Sequence, residues 1–327
     1  MSNLSRHSGW WRSLLLSAIW LGPFLSAAPD AWAVVLYSSA DRNLTPPTTD
    51  QGLAAWNLEA TWGSFLATPI DATHFIAAAH VGDAGGSQIT FQGTNYSVNT
   101  SSEATDPGSD LCIWTLASGT FPTWAPLYNA AVDGSEVGKS MIVIGRGTQR
   151  GTAVTTADGA LKGWQWGNGD GLQSWGQNTV TGFTSYNSVS ASSLLYFDFG
   201  PANDAALSVG DSSGGVFIES NGQWKLAGIN YAVDSPWSLT GAASDPGFDA
   251  DIFDARGLYY KDQNNQWTLY PPDAPLACGD SYASRVSDRL GWVESVVPDV
   301  DAVPEPSVMA MLVTAAAILL LRRLARR

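Results

Sequence analysis

Histidine is almost missing from this chain of 327 residues: there are three, at positions 7, 74 and 80. Cysteine is scarcer still, with only Cys112 and Cys278. Two thiols exclude both a disulfide-dense scaffold and a zinc site built from a cysteine cluster. Basic residues are few as well, 16 Lys and Arg against 30 Asp and Glu, for a net charge of −14. Binding nucleic acid or docking on anionic lipid needs a surplus of Lys and Arg, so neither partner is expected. Long stretches with helical periodicity are nearly absent too. What is present is 45% hydrophobic and 11% aromatic, which is too apolar for a disordered chain.

Both ends read as addresses rather than as fold. Arg6 and Arg12 precede an apolar stretch over 14–28, and Ala31-Trp32-Ala33 supplies small residues in an A-x-A arrangement. This is the pattern of a signal peptide, 1–33, cleaved after Ala33, with cleavage after Ala28 as the alternative. The other end runs Val303-Pro304-Glu305-Pro306, an uncharged stretch over 307–321, then Arg322, Arg323, Arg326 and Arg327. Its apolar segment, about 307–325, is near the lower limit of a membrane span. The arginines are expected to stay cytoplasmic, which places the body outside. The arrangement resembles the PEP-CTERM sorting signal of Gram-negative bacteria. That resemblance implies an exported protein (periplasmic, cell-surface or extracellular) held in the membrane at least transiently, with a sorting protease of the exosortase type acting on the tail. Without the two Arg and one Asp of 1–33 and the four Arg and one Glu of 304–327, the body keeps 10 basic and 28 acidic residues, net −18. Its 270 residues are ample for a sizeable core.

Within the body, Gly, Pro, Ser, Thr, Asn and Asp separate short apolar or alternating runs at 64–70, 74–79, 88–91, 111–116, 141–144, 194–199, 215–218 and 224–230. The pattern predicts an all-β sandwich or barrel. One segment differs. Val286, Leu290, Val293 and Val297 are at helical spacing, and Pro298 follows, so 284–297 is expected to form a short amphipathic helix. An acidic linker, 298–303, leads to the tail.

The scarcity of histidine constrains the chemistry. Once 1–33 is set aside, only His74 and His80 remain, so any mechanism needing a later histidine is excluded. His80 ends the run Phe75-Ile76-Ala77-Ala78-Ala79, where a strand tip can present an imidazole at a cleft. Gly210-Asp211-Ser212-Ser213-Gly214 is a glycine-rich turn whose N–H groups can converge on an oxyanion. It also fits the G-x-S-x-G nucleophile elbow, but that fold needs its histidine after the serine, and none follows. The surviving order is His, acid, Ser. Asp110 heads the apolar run Leu111–Leu116 and can orient an imidazole. Asp106 and Asp83 are weaker candidates, because neither leads directly into a strand.

These segments closely resemble the trypsin-like, chymotrypsin-fold serine proteases. Residues 75–80 resemble the family's Ala-Ala-His segment, and 110–116 its Asp-Ile-Ala-Leu strand. Ile144-Gly145-Arg146-Gly147 resembles its Gly-Trp-Gly strand, 210–217 its Gly-Asp-Ser-Gly-Gly-Pro motif, and Ser284-Arg285-Val286 with Trp292-Val293 its terminal helix. All five occur in family order across about 62–297. The resemblance implies two antiparallel six-stranded β-barrels with a short C-terminal helix. The first barrel, 34–135, would carry His80 and Asp110. The second, 136–297, would carry Ser212 and an insertion at about 232–277. The resemblance makes Ser212 the nucleophile, His80 the general base, Asp110 its orienting acid, and the Gly210 and Ser212 N–H groups the oxyanion hole. The activity implied is a serine endopeptidase acting on protein or peptide substrates through an acyl-enzyme, with no cofactor and no metal. A catalytically silent binding module, on polysaccharide or protein, and an esterase-like acyl hydrolase are the alternatives.

The chain departs from the family in places. Ser213 replaces the glycine after the nucleophile and is itself a candidate; Ser212 is favoured because Gly210 and Asp211 then keep their family places. In the family Asp211 receives a newly freed N-terminal amine, and cleavage after Ala33 would free that of Val34. Ala206 stands where trypsin-type members carry a pocket Asp, so a primary pocket involving Ala206, Leu207 and Ser281 is expected to take apolar or small side chains. Cys112 and Cys278 match no family pair, which leaves them bonded or free. Asp249, Asp251 and Asp254 lack calcium-loop spacing and are expected to be solvated loop carboxylates.

Overall fold

A computed structural model describes residues 34–185, 192–201, 205–262, 264–298 and 300. The signal-peptide and sorting-tail readings fall outside these residues. All elements described belong to one contact unit, Ala31–Arg327. Among the described residues no helix is long and apolar enough to cross a membrane.

The chain is all-β, built on two curled sheets that form half-barrels. The first sheet has the spatial order Thr94–Ser97, Gln88–Phe91, Ala60–Trp62, Phe65–Pro69, His74–Ala78, Leu111–Thr115, Ala104–Thr105, with antiparallel neighbours. The end of Thr94–Ser97 comes back to the end of Leu111–Thr115: Asn99 N–H donates to Thr115 O at 2.9 Å and Ala117 N–H to Ser97 O at 2.7 Å. Curling buries both faces of the central strands, which is why 111–114 reads as an unbroken apolar run, Leu-Cys-Ile-Trp, rather than an alternating one. Trp62 fills the middle, edge-on to Phe75 with ring centroids 5.2 Å apart.

The second sheet runs Ser174–Thr179, Ser140–Gly145, Gly215–Ser220, Gln223–Val233, Asp280–Arg285, Leu194–Asp198, Gly182–Thr184. Each sheet thus has seven strands, one more than the six expected per barrel. Ile142, Ile144, Phe217, Leu226 and Ile229 of the second sheet join the hydrophobic core of the first, so the two half-barrels share apolar packing where they meet.

Val35–Leu36 falls within the span expected for the first barrel, yet it pairs with Ala205–Ala206 of the second half. The predicted helix is present as Val286–Val296, with Val286 and Val293 buried. Its Arg289 clamps Asp106 of the first half, with Nε–Oδ2 and Nη2–Oδ1 both 2.5 Å. Asp106 is therefore held by an arginine, and Asp83 is exposed. The 232–277 insertion is structured. Trp237–Ser238, Tyr259–Lys261 and Trp267–Leu269 form a small sheet. Ala250–Ile252 pairs with Leu161–Gly169 and braces that long hairpin strand.

The acids of the insertion correct the expectation of solvated loops. Asp249 is exposed, but Asp254 is shared by Lys162 and Arg256, which hold it well below the usual carboxylate range. Asp251 is buried, and burial raises its pKa well above the usual carboxylate range. It lies on a strand paired with Leu161–Gly169, opposite Trp164 in register and near Trp166, rather than in a solvated loop. The Trp166 indole tempers the rise, yet neither Asp251 Oδ2 nor Trp166 Nε1 reaches hydrogen-bond geometry. Both cysteines are free.

Candidate active site

His80 lies two residues past the strand His74–Ala78, in a tight turn spanning Ala79–Gly85. Asp110 immediately precedes the partner strand Leu111–Thr115, and the Ala78–Leu111 register puts the two side by side. Three bonds hold them. Ala79 N–H donates to Asp110 O at 2.7 Å, His80 N–H to Asp110 Oδ1 at 3.0 Å, and the His80 ring Nδ1 lies 2.6 Å from Asp110 Oδ2. The Asp110 side chain is 4% exposed, whereas that of His80 is 39% exposed, so a buried carboxylate steers a ring that faces the cleft.

The opposite nitrogen, His80 Nε2, lies 2.8 Å from Ser212 Oγ. The two residues are 132 positions apart in sequence and come from different half-barrels. A Tyr231 ring stands edge-on to the imidazole, centroids 5.9 Å apart. His74, the other histidine of the body, is tied to Asp71 at 2.8 Å on the far end of its strand and takes no part.

Backbone geometry shapes the turn that carries Ser212. Gly210 has φ +94°, a left-handed conformation open to glycine, and a Cβ there would meet Gly147 Cα at 3.0 Å. At Gly214 a Cβ would lie 2.1 Å from Ile144 O. Asp211 is buried beneath the turn. Its Oδ1 accepts Gly147 N–H at 2.7 Å, and its Oδ2 accepts Ser208 N–H at 2.8 Å and Ser208 Oγ at 3.0 Å; the nearby Val34 N–H also favours its ionised form. Burial outweighs these bonds and pushes its pKa up to about 6. Among the described residues, no protein acceptor takes the Gly210 or Ser212 N–H. Donors left free beside a hydroxyl can receive an oxyanion.

Ser213 does not share the imidazole. It is fully buried, its N–H donates to Asn230 O at 3.1 Å, and its hydroxyl accepts Ala78 N–H at 3.0 Å. Asn230 completes the support, with Nδ2 donating to Ile144 O at 2.8 Å and Asp211 O at 3.0 Å.

Ser212 lines one cavity, and a second lies beside Gly210. One, of about 180 Å³, is lined by Trp166, Leu207, Ser208, Val209, Ser212, Asn230, Tyr231, Ala232 and Val233. The other is an open cleft of about 480 Å³ on the Gly210 side, bordered by Phe65, Arg146 and Val209 among others. Of the three pocket residues expected from sequence, Leu207 lines the first cavity. Ala206 packs instead with Val35, Trp164 and Phe199, and Ser281 Oγ accepts Leu207 N–H at 3.0 Å from behind. Sequence reasoning missed Trp166, Tyr231, Ala232 and Asn230. Nothing local to their segments marks them, since a hairpin strand and the strand Gln223–Val233 bring them to the cavity only in three dimensions.

Elsewhere Asp198, Cys278 and Asp280 hold potential ligand atoms within 4.8 Å of one another. Burial, then Asp234 and Asp198, push the Asp280 carboxyl up to about 7.

No family model matches this chain, and no curated protein matches it either.

Proposed function

We propose that the chain is a chymotrypsin-fold serine endopeptidase with Ser212 as nucleophile, His80 as general base and acid, and Asp110 as the orienting carboxylate. One observation carries the reading: a single imidazole bridges a buried carboxylate at 2.6 Å and a serine hydroxyl at 2.8 Å. A hydroxyl is a weak nucleophile at neutral pH, so it needs a neighbouring base. In the proposed reaction Ser212 Oγ bonds to the substrate carbonyl carbon as its proton passes to His80 Nε2. The Gly210 and Ser212 N–H groups receive the oxyanion. The C–N bond then breaks, and His80 returns the proton to the leaving amine. Water, deprotonated by His80, releases the acyl group and restores Ser212.

The cavity at Ser212 and the open cleft beside Gly210 support an endopeptidase, because they leave room for chain beyond the bond that is cut. The 180 Å³ cavity, roughly six water volumes, suits an apolar side chain of about leucine size. No Asp or Glu lines it, so an inserted ammonium would be desolvated without a partner. Export and tail sorting belong to the same proposal. The proximity of the Val34 N–H to Asp211 supports a site completed by signal-peptide removal, which would place an ammonium beside a buried carboxylate.

A fluorophosphonate probe with peptide mapping tests the assignment. Covalent labelling at Ser212, absent in Ser212→Ala, is the expected result. A folded wild-type protein that takes no label would end it. A peptide library then separates amide from ester substrates.

A further inference from the structure

Behind the Ser212 turn, Glu59 is 6% exposed and stands between the two half-barrels. Its Oε1 accepts two hydrogen bonds, from Thr68 Oγ1 of the first half at 3.2 Å and from Gly215 N–H of the second at 3.0 Å. Its Oε2 is buried with no hydrogen-bond partner. A Cβ on Gly215 would lie 2.4 Å from Oε1, so the strand approaches closely because Gly215 has no side chain. Gly215 lies three residues past Ser212. The other tie between the halves here is Ala78 N–H to Ser213 Oγ, two residues before His80. The segment 212–215 is thus held to the His80-bearing half on both sides, once by a hydroxyl and once by a carboxyl.

We infer that Glu59 is a positioning residue which locks the Ser212 turn only while it carries its proton, so that its ionisation releases the site at alkaline pH. The inference rests on the serine-peptidase reading above. Its physical basis is the bare Oε2. A carboxylate needs donors on both oxygens when water is excluded, and here one oxygen has none. Burial, only partly offset by Thr68 and Gly215, pushes the Glu59 pKa up to about 8. Among the described residues, no cation compensates. The preceding helix Leu53–Trp56 and the strands Ala60–Trp62 and Phe65–Pro69 carry no titratable side chain. Gly215–Ser220 carries only Glu219, which is exposed. In Gln223–Val233, Lys225 pairs with Asp133 and Tyr231 faces His80. The ionised carboxylate keeps its two donors on Oε1, so its Oε2 is solvated when water enters between the halves, which parts them beside Gly215.

The test uses the full chain and its Glu59→Gln variant, a neutral isostere that keeps an acceptor for Gly215. The labelling rate of Ser212 by a fluorophosphonate is followed against pH. Above the Glu59 pKa, the wild-type rate is expected to fall by about tenfold per pH unit, while the variant holds its neutral-pH rate at least about one unit further. Amide hydrogen exchange at Gly215 provides a readout that needs no activity. It is expected to be about tenfold faster in wild type than in the variant at about pH 9.5, and equal in both at about pH 6.5. Glu59→Leu, if it folds, should lower kcat at all pH values with KM little changed. Matching alkaline limbs and matching exchange in wild type and Glu59→Gln would overturn the inference. If Ser212 never labels, the peptidase reading fails, and exchange at Gly215 alone still decides whether Glu59 is a proton-dependent lock.

Discussion

The Ser213 hydroxyl accepts Ala78 N–H at 3.0 Å, so of two adjacent serines one faces His80 and the other bolts the half-barrels together. Ser213 reaches that position with φ +72°, a left-handed conformation that costs a non-glycine residue about 1–2 kcal/mol. Ser213→Ala keeps the strain and orphans the Ala78 N–H. It is expected to destabilise by about 1–3 kcal/mol in urea titrations while Ser212 still labels. Ser212→Ala is expected to fold normally and lose the label. Labelling that follows residue 213 instead would reverse the assignment.

Removing either partner of the imidazole bridge has a different signature. His80→Ala and Asp110→Asn are each expected to lower the rate of peptide hydrolysis by roughly 10⁴, with circular dichroism unchanged. A loss of less than about tenfold in either would mean that the bridge is not used in the rate-limiting chemistry.

Glu59 also gives a stability prediction with a definite sign. The unfolded chain ionises it near 4.5, the folded chain at about 8. Between those values the folded state binds the extra proton, so rising pH costs stability at up to about 1.4 kcal/mol per unit. Glu59→Gln removes that slope. Its unfolding free energy relative to wild type should climb from pH 5 to 8 and level off on either side of that window. A difference that does not vary with pH would mean that Glu59 ionises normally.

Processing at Ala33 is expected to matter through Asp211. A chain beginning at Val34 presents an ammonium where the uncleaved chain presents a neutral amide to a buried carboxylate. A charge-assisted bond is stronger by enough to raise labelling of Ser212 by about tenfold or more over the uncleaved chain. Equal rates in the two forms would separate the Val34 contact from activity.

The cavity beside Ser212 predicts substrate choice. Peptides with Leu or Met at the bond cut are expected to exceed those with Lys by at least about 100-fold in kcat/KM. Ala232→Val should narrow the cavity and cost about tenfold on the larger side chains. A preference for Lys or Arg would show that a carboxylate reaches the cavity by rearrangement.

Much of the fold was legible because it is written in short periods. The strands at 88–91, 111–116 and 215–218 were read within two residues of their observed ends, and the 3.6-residue spacing of Val286, Leu290 and Val293 marked the helix. His80, Asp110 and Ser212 stood out because so few histidines left one possible chain order. Glu59, Trp166 and Ala232 could not be read this way. Each owes its place to a contact with a segment more than fifty positions distant, and no local period records such a contact. The insertion misled for the same reason: Asp251 looks like a loop acid in sequence, and only its pairing with the strand Leu161–Gly169 buries it.

What the amino-acid order determined on its own was therefore the β-rich class, the terminal helix and a short roster of reactive side chains, since periodicity and scarcity are properties of the chain itself. Only the tertiary structure decided which of two neighbouring serines meets the imidazole, which side chains wall the cavity, and which buried acid stands behind the turn. Those depend on how two curled sheets meet, and a shift of a single residue along a strand turns a side chain to its opposite face.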